Sequence, residues 1–251
     1  MDFSITRLQY LDLSGNKLEG PFPNCLVEMR LDTIILFNNK LTRSIPQQLF
    51  KSARLHVLHL SQNNFIGELP ENIGNATEMQ YLMLSGNNIS GQIPMSMSKM
   101  DNLKILDLSI NKFSDPNDSF YHNRISLFGW EISFLGHLPQ NLTKLVNLQH
   151  LDLHDNNITG YFQDVLPQSP YLQVLVLRNN SFEGFIPSTI SNFSSLRILD
   201  LSGNNLSGSI PLEIANLRSM IEAPVHMSTS GFLYNNFVYG LMDEMSFYIE
   251  D

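Results

Sequence analysis

His150, Asp152 and His154 stand at alternate positions, so an extended chain would set two imidazoles and one carboxylate on a single face. Such a set could ligate a divalent metal or move protons. The surrounding spelling argues otherwise. Asp152 sits in a Leu-Asp-Leu triplet that recurs around Asp12, Asp107 and Asp200, so the carboxylate belongs to a repeated phrase. The other histidines are scattered, and no phosphate-loop, G-x-S-x-G, H-E-x-x-H, H-R-D or D-F-G motif is present. No catalytic residue, metal site or cofactor is therefore expected, and the chain reads as a non-enzyme. The residue that recurs with usable chemistry is asparagine, at Asn16, Asn39, Asn63, Asn87, Asn111, Asn156, Asn180 and Asn204. Its amide both donates and accepts, so it can satisfy backbone groups that a bend would otherwise bury unpaired.

The steps between these asparagines are 23, 24, 24, 24, 45, 24 and 24 residues. Around each lies one frame, with leucine-like residues eight, five and three before it and an apolar residue two after, as in Leu8, Leu11, Leu13 and Leu18 around Asn16. The alternating Leu11 and Leu13 ask for a short strand with one buried face. A single unit cannot bury that face, whereas stacked copies bury it between neighbours. A repeat of this length and spelling predicts a leucine-rich-repeat solenoid of the α/β class. It would be a curved right-handed superhelix of about nine repeats, built of short parallel strands, loops and 3-10 turns. Glycine four after the asparagine and a following apolar-Pro pair complete the frame, as in FIGELP, ISGQIP, FEGFIP and LSGSIP. Arg43 and Asp115 break the glycine rule. The 45-residue step reads as one degenerate repeat at about 114–139, with Ile132 in the asparagine place and Leu127, Phe134, Gly136, Leu138 and Pro139 in register.

LRILDLSGNNLSGSIP (Leu196–Pro211) and YLMLSGNNISGQIP (Tyr81–Pro94) resemble the plant-specific class of these repeats, found in plant receptor-like proteins and receptor-like kinases. The resemblance runs over roughly Thr6–Met220 and implies a fragment of a receptor-like ectodomain. It implies recognition of a peptide or pathogen-derived ligand, and signalling in defence or development through a co-receptor kinase. It also implies a full-length parent at the plasma membrane with this part outside the cell. The expected domains are 1–220, the solenoid, and 221–251, a non-repeat tail resembling the start of an "island" segment. The tail carries five acidic residues and no Lys or Arg, with aromatics from Phe232 to Tyr248. A receptor-like kinase ectodomain, a secreted polygalacturonase-inhibitor-like protein and a decayed gene are the alternatives.

The formal charge of −9 argues against nucleic acid as partner. No apolar run approaches the ~18 residues of a membrane span, and no signal peptide is read at the start, so this chain itself is expected to make no membrane contact. Its lone cysteine, Cys25, is expected as a small buried residue. A partner would meet the residues six, four and two before each asparagine, which face out from the sheet. Where these depart from the common Asp and Ser filling, they are candidate contacts: Ile35, Phe37, His59, Met83, Phe128, Trp130, His154, Val176 and Arg178. Exposed apolar side chains there would mark a contact surface. N-x-[ST] sequons at Asn75, Asn88, Asn117, Asn141, Asn157, Asn179, Asn192 and Asn205 are candidate glycosylation sites.

Overall fold

The fold was obtained as a computed structural model; it describes residues 8–51, 53–114, 142–217 and 219. Eight three-residue strands form one parallel sheet in chain order: Tyr10–Asp12, Thr33–Ile35, Val57–His59, Tyr81–Met83, Ile105–Asp107, His150–Asp152, Val174–Val176 and Ile198–Asp200. Each strand is short because the frame supplies one inward leucine at its centre and then turns. That leucine, such as Leu58, Leu82, Leu106 or Leu175, is fully buried. The core runs unbroken down the stack. Phe65, Phe113 and Phe182 fill it two residues after the asparagine.

The asparagines hold coil to coil. Asn63 donates from Nδ2 to the carbonyl of Leu60 in its own turn (3.1 Å) and of Leu36 in the preceding coil (2.9 Å). Its Oδ1 accepts the Leu41 N–H of that same coil at 3.0 Å. Asn39, Asn87, Asn111, Asn156, Asn180 and Asn204 repeat the pattern. Burying an amide is costly unless it is fully hydrogen-bonded, and here the bonds saturate it. The residue before each asparagine takes a left-handed conformation: Gly15, Asn38, Gln62, Gly86, Ile110, Asp155, Asn179 and Gly203 all have φ between 51° and 66°.

Beyond the asparagine turn a second parallel sheet forms. Five strands run in the order Lys112–Phe113, Asn88–Gly91, Asn64–Glu68, Lys40–Arg43, Glu19–Pro21, and a separate pair joins Thr159–Tyr161 to Ser181–Glu183. The frame's proline then turns the corner. Pro94, Pro187 and Pro211 sit just before the 3-10 helices Met95–Lys99, Ser188–Asn192 and Leu212–Asn216, with φ of −61°, −75° and −67°. Proline holds that φ by its ring, and its carbonyl accepts the first turn's N–H, as from Met97 to Pro94 at 3.1 Å.

Two expectations need correction. The fifth strand, Ile105–Asp107, pairs directly with the sixth, His150–Asp152. The degenerate repeat expected at about 114–139 with Ile132 in the asparagine place therefore contributes no rung between them; 115–141 itself lies outside the described residues. Contacts across the long step are those of adjacent coils with 21 residues added. Asn156 Oδ1 accepts the Phe113 N–H across 43 positions, where its counterparts span 22. The partial frame match in this segment was local, whereas register is set by these long-range hydrogen bonds. Cys25 is exposed, because in the short helix Asn24–Glu28 it is Leu26 that turns inward. The tail 221–251 also lies outside the described residues.

Candidate functional site

The strand order sets up three outward rows on the eight-stranded sheet. The central row reads Asp12, Ile35, His59, Met83, Asp107, Asp152, Val176, Asp200, each in register with the next. Strands lie ~4.8 Å apart, so neighbouring side chains in a row touch and shield one another. This corrects the expectation of open apolar contacts. Ile35, Met83, Val176 and His154 are buried, at 8, 2, 6 and 6% exposure, whereas Phe37, His59 and Arg178 are half-buried. Phe37 and His59 stack, with ring centroids 4.9 Å apart and planes at 24°. Phe128 and Trp130 lie outside the described residues. Burial is deepest at the middle strands, where His150 and Asp152 are fully covered, and fades at Tyr10, which is 40% exposed.

The charged groups of this face gather at the sixth strand. Asp152 Oδ1 accepts both the His154 backbone N–H at 2.9 Å and its Nδ1 at 2.6 Å. His154 Nε2 lies 3.7 Å from Asp155 Oδ2. Burial pulls the His154 pKa down, but the Asp152 bond and charge outweigh it and leave the pKa raised. Burial dominates at His150 and His59, each lowered to about 4 despite a nearby aspartate. Asp107 is pushed up to about 6, first by burial and then by the Asp152 charge, against hydrogen bonds from Ser109 and Ser85. Among the described residues no group of three His, Cys, Asp or Glu is arranged to hold a metal ion. In place of a ligand set, Asp152 orients His154. What the face leaves within reach of a partner is the half-buried His59 and Arg178, with the Asp152–His154 pair buried beside them.

Sequence reasoning looked only at the outward rows and missed the edge where strands begin. There a shallow cleft of about 200 Å³ is lined by Asn102, Lys104, Asn147, Gln149 and Tyr171. Lys104 Nζ donates to Gln80 Oε1 at 2.9 Å. The usable signal was the residue seven before each asparagine, which is long and polar in Gln80, Lys104, Gln149, Gln173 and Arg197. Of the candidate glycosylation sites, Asn75, Asn88, Asn157, Asn179, Asn192 and Asn205 are exposed, and Asn117 and Asn141 fall outside the described residues.

A stack of parallel strands on a column of buried asparagines defines a repeat solenoid. Family models described as leucine-rich repeat match residues 7–29, 54–76, 78–100 and 146–206, a little over half of the chain. The chain belongs to the leucine-rich-repeat family, and its repeats are those of a plant receptor-like ectodomain. It is similar to the ectodomain of the Arabidopsis thaliana receptor kinase GASSHO1/SCHENGEN3, solved with CASPARIAN STRIP INTEGRITY FACTOR 2, at 32% identity and a TM-score of 0.72. That match covers 85% of this chain and 23% of the other. The Arabidopsis receptor kinase HAESA, solved with the peptide hormone IDA and the co-receptor SERK1, matches at 27% identity and a TM-score of 0.72. It covers 85% of this chain and 32% of that one. A plant ice-binding protein matches at 29% identity and a TM-score of 0.65, over 81% of this chain and 59% of its own. The chain thus spans about a quarter to a third of the receptor chains. A comparison with curated proteins finds no match. Among the described residues no helix is long and apolar enough to cross a membrane.

Proposed function

We propose that this chain is the recognition part of a plant cell-surface receptor-like protein. It takes a peptide or pathogen-derived ligand on the outward face of the eight-stranded sheet and passes the signal to a co-receptor kinase, without catalysis of its own. The observation that supports this reading most is the pairing of two facts. The repeat stack resembles receptor ectodomains solved with peptide ligands, and the departures from the repeat's Asp and Ser filling fall on adjacent strands, at His154, Val176 and Arg178. Phe37, His59, Ile35 and Met83 form a second such group on the second to fourth strands. The exposed sequon asparagines would carry glycans, and 221–251 would form a separate segment after the solenoid 1–220. The exposed residues of the second sheet include Glu19, Lys40, Glu68 and Lys112 and give no reason to carry ice binding over.

Expression of the natural gene product in leaf tissue tests the placement. The expected result is material at the plasma membrane that external protease removes and endoglycosidase shifts; glycan-free material inside the cell would overturn it. Sequence on both sides of this reading frame separates a receptor-like protein from a kinase-bearing one. Extracellular peptide pools passed over the immobilised chain test the face. Retention should be lost with Arg178→Ala and His154→Ala together, and unchanged retention would sink the proposed face.

A further inference from the structure

The edge where strands begin carries two columns of side chains, nine and seven residues before each recurring asparagine. On the fifth to seventh coils they line the cleft of about 200 Å³. Asn102 and Lys104 stand there before Asn111, Asn147 and Gln149 before Asn156, and Tyr171 before Asn180. The two cleft asparagines are tied down. Each donates from Nδ2 to a carbonyl of the coil before it, of Thr77 at 3.0 Å and of Asp101 at 2.8 Å. That leaves their Oδ1 atoms as acceptors. Lys104 is steadied in the same way: Nζ donates to Gln80 Oε1 at 2.9 Å and stands 6.0 Å from the Tyr81 ring centroid. Two of its three N–H groups remain for a ligand. Gln149 adds an amide with a donor and an acceptor end, and Tyr171, 56% exposed, adds a flat ring. None of the five lining side chains is acidic.

We propose that this cleft binds one hexuronate unit of a saccharide. Tyr171 stacks on the sugar ring, the amides of Asn102, Asn147 and Gln149 meet its hydroxyls, and Lys104 takes its carboxylate. The mixture of groups selects this chemistry. Asparagine oxygens require a ligand with hydrogens to donate, and a polar group left unmatched on binding costs affinity. Sulfate or an isolated carboxylate has no such hydrogen, whereas each sugar hydroxyl both donates and accepts. An apolar side chain would find one ring to pack on and four polar groups to desolvate. The ammonium then distinguishes an acidic sugar from a neutral one, because its hydrogen bond to a carboxylate is charge-assisted. The cleft lies off the outward rows of the sheet, so it stands apart from the peptide recognition proposed for that face.

Methyl β-glucuronide and methyl β-glucoside differ only in the carboxylate and serve as matched probes. Each is titrated against the full chain by saturation-transfer NMR. The glucuronide should bind in the millimolar range and the glucoside about tenfold more weakly. Tyr171→Ala should weaken the glucuronide about fivefold, whereas Tyr171→Phe, which keeps the ring, should retain most of the binding. Lys104→Gln should bring the glucuronide down to the level of the glucoside. Lys112→Gln removes an exposed cation of the second sheet and should change nothing. Thermal unfolding confirms that each variant is folded. Absence of glucuronide binding by the natural chain would overturn the proposal, as would equal binding of the two probes. So would binding that survives both Tyr171→Ala and Lys104→Gln, or that falls as far in Lys112→Gln as in Lys104→Gln.

Discussion

The two sheets meet the same 45-residue step and respond differently. The eight-stranded sheet crosses it without a gap, pairing Ile105–Asp107 with His150–Asp152. Among the described residues the second sheet breaks there into five strands and two, with a bridge from Ser114 to Asn157 at the join. The difference follows from where the extra chain leaves. It departs after Ser114, past the asparagine turn, and returns before the 3-10 helix Leu142–Lys144. Everything the asparagine needs from the preceding coil, Leu108 O and Phe113 N–H, lies upstream of that exit. The asparagine amides serve both sheets: Nδ2 reaches carbonyls that follow the first sheet's strands, and Oδ1 accepts an N–H on a second-sheet strand of the preceding coil, as from Leu41, Ile89 and Phe113; what the second sheet loses at the join is its ladder.

The comparison breaks most sharply at Asn156. Asn156→Ala would leave the buried Phe113 N–H and Leu108 and Leu153 carbonyls without their side-chain partner. The expected cost is about 3 kcal/mol in chemical denaturation. Asn16→Ala should cost about 0.5 kcal/mol, because Asn16 is exposed and the bonds seen for it are to Leu13 and Ser14 of its own turn. Equal costs would deny the amide column its special role. Next comes Ile110, a β-branched residue at φ 51° and 46% exposed, in a column that elsewhere holds Gly15, Gly86 and Gly203. Ile110→Gly should stabilise by about 1 kcal/mol, since the left-handed strain relieved exceeds the small apolar burial lost. Arg43, at φ 65° where most coils hold glycine, should gain about 0.5 kcal/mol on Arg43→Gly. The smallest effect is expected from shortening 115–141 by 21 residues, which restores a 24-residue step. Loop-closure entropy predicts a gain below about 1 kcal/mol with an unchanged strand content by circular dichroism. Loss of folding would mean that this segment does more than span the join.

Much of this was readable in the residues. The asparagine spacing located the eight strands of the first sheet, and the glycine at Gly67, Gly91, Gly184 and Gly208 announced its positive φ. Which strands pair across the 45-residue step was not readable, because no local spelling reports it. The outward face was legible as positions and not as exposure. Alternation says that Ile35, Met83 and Val176 point away from the core, but the lateral packing of one row against itself decides how much water they meet. The register neighbours Asp107 and Asp152 were hidden for the same reason as that pairing. Asp107 and Asp152 are 45 residues apart and become neighbours only through strand register.

The position between Ser114 and Leu142 also has meaning for how such a chain can change. Each coil grips the one before it through atoms that precede this gap, so the stack does not register what is placed there. Length and sequence can drift at that socket while the scaffold stays fixed, which makes it the place where a new binding element could be acquired, or grafted, at the smallest risk to folding.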